Sequence, residues 1–343
     1  MAFYCGIDLG SRHAQICVID NDQKRLIQRK VENSLETILP LLEPYRTDIK
    51  IVVESTFNWY WLIDGLQEAG YDICLAHVLG LAAITAAKVK TDKRDAFALA
   101  KLLRMDAIPK AFIYPQQMRA PRDLLRRRSH VVRKRADEYG AIRRTLLRYG
   151  ILEHTRHSTQ SLDEHGLESL FDHPMLKIHA RHQIERIELY TKQIGQIEAE
   201  LLADAWTRPQ YRHLQTLPGV SLMLGLTILY ETGPISRFAN ARRYSSYCRV
   251  ISGVSQSSGV TRSRGRQSKQ GNPYLKWAFN QAAVHAVRHY PAVRKCFDRH
   301  LSRHAGRAGK VISYNTIAHK IAVAAFHVLR DGVKYKEELL FGV

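Results

Sequence analysis

The chain is 343 residues long, enough for two or three domains with apolar cores of their own. Lysine and arginine number 52 against 32 aspartates and glutamates, a formal net charge of +20 with a pI of about 9.9, so a polyanion, nucleic acid first, is the partner the surface favours. No apolar run reaches the roughly 18 residues of a spanning helix, and five scattered cysteines without a CxxC pair indicate neither a zinc site nor a disulfide framework, which predicts reduced, buried thiols in a cytoplasmic protein.

The opening "MAFYCGIDLG" reads as a strand and a turn, not as a signal peptide. From Phe3 to about Leu103 the pattern is mixed α/β. "FYCGIDLG" and "AQICVID" are apolar runs rich in β-branched residues, "KRLIQRKV" follows as a third strand, and "SLETILPLLEPY" has helical spacing. Next come the strand "DIKIVVEST", the helix "NWYWLIDGLQEAG" with its Gly stop, the strand "YDICLAH" and the helix "LAAITAAK". Three strands, helix, strand, helix, strand is the layout of ribonuclease H-like domains, an analogy of fold alone.

Between about Tyr114 and Ala205 the strand signals vanish. "PRDLLRRRSHVVRKRADEYGAIRRTLLRYG" reads as a long basic helix. In "QIERIELYTKQIGQIEAELLADA", Ile187, Tyr190, Ile194, Ile197 and Leu201 fall at alternating steps of three and four, a heptad seam that fits a coiled coil, a helical hairpin or a core stripe equally. The polar stretch from His154 to His173 is expected to connect the two helices. From Tyr211 onward "LQTLPGVSLMLGLTILYETG" has the form of a helix, a tight turn and a helix, a helix-hairpin-helix-like unit with Ser221 where a second glycine is usual. "GVSQSSGVTRSRGRQSKQGNPYLKWAF" reads as a Ser/Gly/Arg-rich loop returning to an apolar helix at Tyr274, and helices continue to the end. The expected divisions are 1–113, 114–208 and 209–343.

Two constellations carry chemistry. Asp8 ends the first strand and Glu54 ends "IVVE", so a sheet that pairs these strands brings both carboxylates out at one edge. Asp92 and Asp95, in "KTDKRDAFALAKLL", stand at i and i+3 on one helical face. By itself that stretch is also an ordinary helix start, Thr91 or Asp92 capping and Asp95 in the first turn. Four converging carboxylates repel unless cations neutralise them; hard oxygen donors suit Mg²⁺ or Mn²⁺, and two such ions clamp the attacking and leaving oxygens of a phosphodiester. In the second constellation, Ser257 and Ser258 precede Gly259, with Arg262, Arg264, Arg266 and Lys269 close behind. A serine hydroxyl is a weak nucleophile at neutral pH, but guanidinium groups and metal ions at a phosphate can enable its attack; a linker or a phosphate-contact loop has the same composition. Arg126, Arg127, Arg128, Arg133 and Lys134 on the basic helix are expected to supply salt-dependent affinity for nucleic acid.

Together, "GIDLGSRHAQICVID", "VVEST", "KTDKRDAFALAKLL", "LQTLPGV", "GPISRFANARRYSSYCRV" and "SSGVTRSRGRQSKQGNPYLKWAF", in that order, resemble the DEDD transposases of the insertion-sequence one-ten family, which includes the Piv-type invertases. The resemblance implies a RuvC-like N-terminal domain, a coiled-coil linker and a helical C-terminal transposase domain. It implies a metal site of Asp8, Glu54, Asp92 and Asp95 and a DNA-attacking serine that maps onto Ser258, with Ser257 as its neighbour. It further implies donor and target DNA, a structured bridge RNA as guide, a homodimer or homotetramer with composite sites, and a bacterial, nucleoid-associated location. Val260 and Thr261 stand where the family's loop more often has Gly-Lys. Two other readings stay open: a RuvC-type junction nuclease that uses water, and a non-catalytic nucleic-acid-binding protein.

Overall fold

The computed structural model describes residues 2–84, 92–151, 163–251, 254–257, 260–264, 270–304 and 306–341. The chain divides into two compact units, Met1–Tyr114 and Pro115–Val343.

The first unit is an open mixed sheet. Strands β1 (Phe3–Leu9), β2 (His13–Ile19) and β3 (Arg25–Glu32) form an antiparallel meander, β4 (Ile49–Glu54) and β5 (Asp72–Ala76) add parallel strands, and the two-residue β6 (Lys110–Ala111) closes the edge. The order is β3-β2-β1-β4-β5-β6, the ribonuclease H-like, RuvC-like arrangement that the sequence of elements predicted. Alternation divides the side chains of β1. Cys5, Ile7 and Leu9 join Ile38 and Leu42 of α1 (Leu35–Leu42) and Leu62, Ile63 and Leu66 of α2 (Tyr60–Glu68) in one core. On the other face Cys17 and Ile19 meet Ala96 and Ala100 of a later helix, and Val52 meets Leu99 and Leu102 of the same helix. A further helix, α3, covers Val78–Ile84, and the later one, α4, covers Asp92–Arg104.

Among the described residues the second unit is helical apart from one two-stranded ladder. Two 33-residue helices, α5 (Gln116–Arg148) and α7 (Pro174–Trp206), pack side by side, with the short α6 (Glu164–Glu168) against α7. The seam residues Ile187, Ile194 and Leu201 are buried within this one chain, Ile187 in a cluster with Ile142 and Leu146 of α5. α8 (Pro209–Leu214) and α9 (Leu222–Thr232) are the expected two helices around a tight turn, with the Ser221 hydroxyl accepting from the Leu224 N–H. Gly219 in that turn has φ +72°, and a Cβ there would stand 2.1 Å from the Ala282 carbonyl of α11 (Pro273–His289), so the turn is seated on that helix. α10 (Ala241–Tyr247), α12 (Pro291–Leu301), α13 (Gly306–Asp331) and α14 (Glu338–Phe341) complete the core around Tyr230, Tyr244, Phe279 and Phe326. The Ser/Gly/Arg-rich segment, expected as a loop, contains two strands, β7 (Val254–Ser257) and β8 (Val260–Arg264), paired antiparallel. The β-branched residues Val254, Val260 and Thr261 favour this extended pairing. Among the described residues no helix is long and apolar enough to cross a membrane.

Candidate metal and nucleic-acid site

Gly6 fixes the distance between sheet and helix. A Cβ at this position would stand 2.2 Å from the Ala96 carbonyl and 2.7 Å from the Ala100 nitrogen, so only glycine lets α4 lie directly on β1. That approach brings Asp95, one residue before Ala96, over the end of β1. Asp8 lies two residues beyond Gly6 and therefore on the same face of the strand. β1 and β4 run parallel with Ile7 beside Val53, and one step further Glu54 follows next to Asp8. Asp8, Glu54 and Asp95 all line one cavity of about 250 Å³, together with His13, Gln15 and Lys30.

The rim is held by amides. The Gly10 carbonyl, in the β1–β2 turn, accepts from Asn33 Nδ2 and Asn58 Nδ2, each at 2.9 Å. Thr56 Oγ1 donates to Asn58 Oδ1 at 2.9 Å. α4 is tied to the meander by Gln28 Nε2 donating to the Lys93 carbonyl at 3.2 Å, Arg104 Nη1 donating to the Asn21 carbonyl at 3.1 Å, and the Arg25 guanidinium 4.0 Å from the centre of the Phe97 ring. Gln15 and Lys30 in the lining and Asn33 and Asn58 at the rim carry no motif in the sequence that marks them for this cavity.

Asp92 is the first residue of α4, three before Asp95, and its side chain lies outside the described residues. Oxygen donors of this kind suit Mg²⁺ or Mn²⁺. Among the described residues no three His, Cys, Asp or Glu side chains stand close enough to hold an ion as they are. The carboxylates of Asp8, Glu54 and Asp95 thus share a cavity without forming a closed coordination shell.

Ser258, Arg266 and Lys269 lie outside the described residues, as do the side chains of Ser257, Arg262 and Arg264 on β7 and β8. The stems of the segment that carries them are well fixed. Arg249 Nε donates to the Gln270 carbonyl at 3.0 Å, and the Asn272 N–H donates to the Tyr247 carbonyl at 2.6 Å. Gly271 has φ +96°, and a Cβ there would press on that same Tyr247 carbonyl. Asn272 caps α11, its Oδ1 accepting from the N–H groups of Tyr274 and Leu275, while its Nδ2 donates to Glu231 at 2.7 Å.

Glu231 is fully buried near the end of α9 and also takes Arg122 Nε at 3.0 Å, Arg126 Nε at 2.6 Å and Arg126 Nη2 at 2.9 Å. Burial pushes its pKa up, but the hydrogen bond from Arg126 and the charges of Arg122 and Arg126 outweigh this and hold it below the usual carboxylate range.

Residues 5–151 match the profile of the DEDD transposases of the IS110 group, and residues 211–298 match that of the transposase IS116/IS110/IS902 family. The chain belongs to this transposase family. It is also 27% identical over 190 residues to y4qE of Sinorhizobium fredii (strain NBRC 101917 / NGR234), a protein provisionally named a transposase. The match covers 55% of this chain and 46% of y4qE, so the chain spans less than half the length of that relative.

In this transposase-family chain the predicted basic residues of α5 divide into two groups. Arg126 is committed to Glu231, and Arg128 donates through Nε to Glu198 Oε1 of α7 at 2.7 Å, so these two hold the helices of the second unit together. Arg127, Arg133 and Lys134 are exposed, as are Arg144 and Arg148. At about 100° per residue these five fall within an arc of roughly 120° on the helix surface, with Asp137 among them.

Proposed function

We propose that this chain is a transposase of a bacterial insertion sequence, cutting and exchanging DNA strands by phosphodiester transesterification. The observation that carries the reading is the cavity shared by Asp8, Glu54 and Asp95 at the C-terminal ends of the central strands β1 and β4 of a RuvC-like sheet, in a chain of which residues 5–151 and 211–298 match transposase profiles. Asp8, Glu54, Asp92 and Asp95 would hold Mg²⁺ or Mn²⁺ through carboxylate oxygens. When bound, that cation supplies Lewis-acid polarisation of the scissile phosphate.

Ser258 Oγ attacks the phosphorus and loses its proton; the 3′ oxygen leaves and gains one, and the DNA end stays on the serine until a strand hydroxyl reverses the exchange. Arg262, Arg264, Arg266 and Lys269 follow this serine closely enough to balance phosphate charge. Donor and target DNA are the substrates, a structured bridge RNA the guide, and a homodimer or homotetramer the working assembly, with carboxylates and serine drawn from different subunits.

Ser258→Ala is expected to abolish the covalent protein–DNA adduct on a denaturing gel while nucleic-acid binding is retained. Free nicks without an adduct in the wild type would favour hydrolysis by water. Glu54→Gln is expected to remove divalent-metal-dependent cleavage; undiminished cleavage would refute the carboxylate site. Sequencing the nucleic acid retained on purification tests the guide: one discrete RNA encoded beside the gene supports it, and random fragments reject it.

A further inference from the structure

The cavity around Asp8 holds a group that the transposase reading leaves without a task. Gln15 stands on β2 directly opposite Asp8 on β1, and opposite Lys30 on β3. Across the sheet the row therefore runs Glu54, Asp8, Gln15, Lys30, each step one strand spacing of about 4.8 Å. Gln15 is 4% exposed, lines the cavity, and its Nε2 meets no hydrogen-bond partner among the described residues. A buried amide donor left unpaired is destabilising, so a fold that needed only to fill this position would place an apolar side chain there. Lys30 lines the same cavity, is exposed, and makes no ion pair among the described residues.

The chemistry of the row is directional. Two carboxylates lie at the β4–β1 end, where a phosphate enters only with a cation, and two donors, one neutral and one positive, lie at the β2–β3 end. A phosphate held between the ends presents non-bridging oxygens to both. The Gln15 amide suits the position beside Asp8, because it donates a hydrogen bond without adding charge to the carboxylate side.

We propose that Gln15 and Lys30 form the phosphate-contacting wall of this cavity. Gln15 Nε2 donates to a non-bridging oxygen of the nucleic-acid phosphate, and the Lys30 ammonium neutralises that phosphate at the mouth. The inference rests on the transposase reading and adds two substrate-contacting residues to it.

The test uses the full chain with the nucleic acid it retains on purification, supercoiled plasmid as substrate and Mn²⁺ as cation. Gln15→Leu is expected to unfold at the same temperature as the wild type or higher, since it removes an unpaired buried amide, while plasmid nicking falls by about tenfold or more. Lys30→Gln, at an exposed position, is expected to leave the unfolding temperature unchanged and to raise the plasmid concentration needed for half-maximal nicking. A Gln15→Leu protein that melts earlier marks the amide as structural and overturns the proposal. So does a Gln15→Leu or a Lys30→Gln protein that nicks like the wild type at every salt concentration. A wild-type protein that never nicks removes the transposase reading itself and this inference with it, a failure visible in the wild-type reaction alone.

Discussion

A missing methyl group sets the geometry of the carboxylate cavity. Gly6 puts the backbone of α4 within contact of β1, and any side chain would have to displace the Ala96 carbonyl or the helix that carries it. Gly6→Val is therefore expected to cost about 1–3 kcal/mol of unfolding free energy by overpacking, read from urea denaturation. Metal-dependent nicking should fall further than that loss explains at a temperature where the variant is still folded, because lifting α4 carries Asp95 away from Asp8. Full nicking by a folded Gly6→Val protein would show that Asp95 does not need this approach. That Asp8 and Glu54 stand side by side was legible in the sequence, because each ends an apolar strand and a sheet that pairs those strands brings both out together. Gln15 was not, since an amide between Ala14 and Ile16 reads as the polar half of an alternating strand, and only the packing of α4 shows that it is buried. Asn33 and Asn58 look like ordinary turn residues until the turn they support, at Gly10, is located.

Between elements, a buried polar cluster joins Glu231 of α9, Arg122 and Arg126 of α5, and Asn272 at the start of α11. Removing the carboxylate leaves two guanidinium groups facing a buried space, so Glu231→Gln is expected to cost about 3–5 kcal/mol. The same cluster predicts a pH dependence. The folded-state pKa of Glu231 lies below its usual value of 4.5, so as pH falls through this range the unfolded chain takes up a proton that the folded chain refuses. The stability that the cluster contributes is present in full above about pH 4.5 and is lost as pH falls towards the folded-state value. The midpoint of thermal unfolding should therefore drop on acidification below pH 4.5, and drop less in Glu231→Gln; parallel pH curves for the two proteins would refute the assignment. The sequence exposed the long basic helix and the heptad seam by their periodicity. It did not reveal that Arg126 and Arg128 face carboxylates from distant helices, because composition alone does not distinguish a solvated arginine from a paired one. Nor did it reveal strands in the Ser/Arg segment, whose alternation is only four or five residues long on each side.

At the scale of the whole molecule, a net charge of +20 guarantees attraction to any nucleic acid, so affinity alone says little about where binding occurs. Salt dependence is more discriminating, because each phosphate neutralised releases counterions and contributes about 0.9 to the slope of log K against log salt on duplex DNA. Arg127, Arg133 and Lys134 are exposed on the arc of α5 that carries Arg144 and Arg148, whereas Arg126 and Arg128 have their charges met within the chain. Changing Arg127, Arg133 and Lys134 together to Gln should therefore flatten the salt slope by about 3 while leaving thermal stability near that of the wild type. Changing Arg126 and Arg128 should do the reverse, lowering stability with little change in slope beyond that caused by unfolding. Fluorescence anisotropy of a labelled duplex, titrated at several KCl concentrations between 50 and 200 mM, separates the two, since roughly this range changes affinity by orders of magnitude for a protein with several phosphate contacts. An unchanged slope in the first variant would move the nucleic-acid surface off this arc of α5 and onto the other basic segments of the chain.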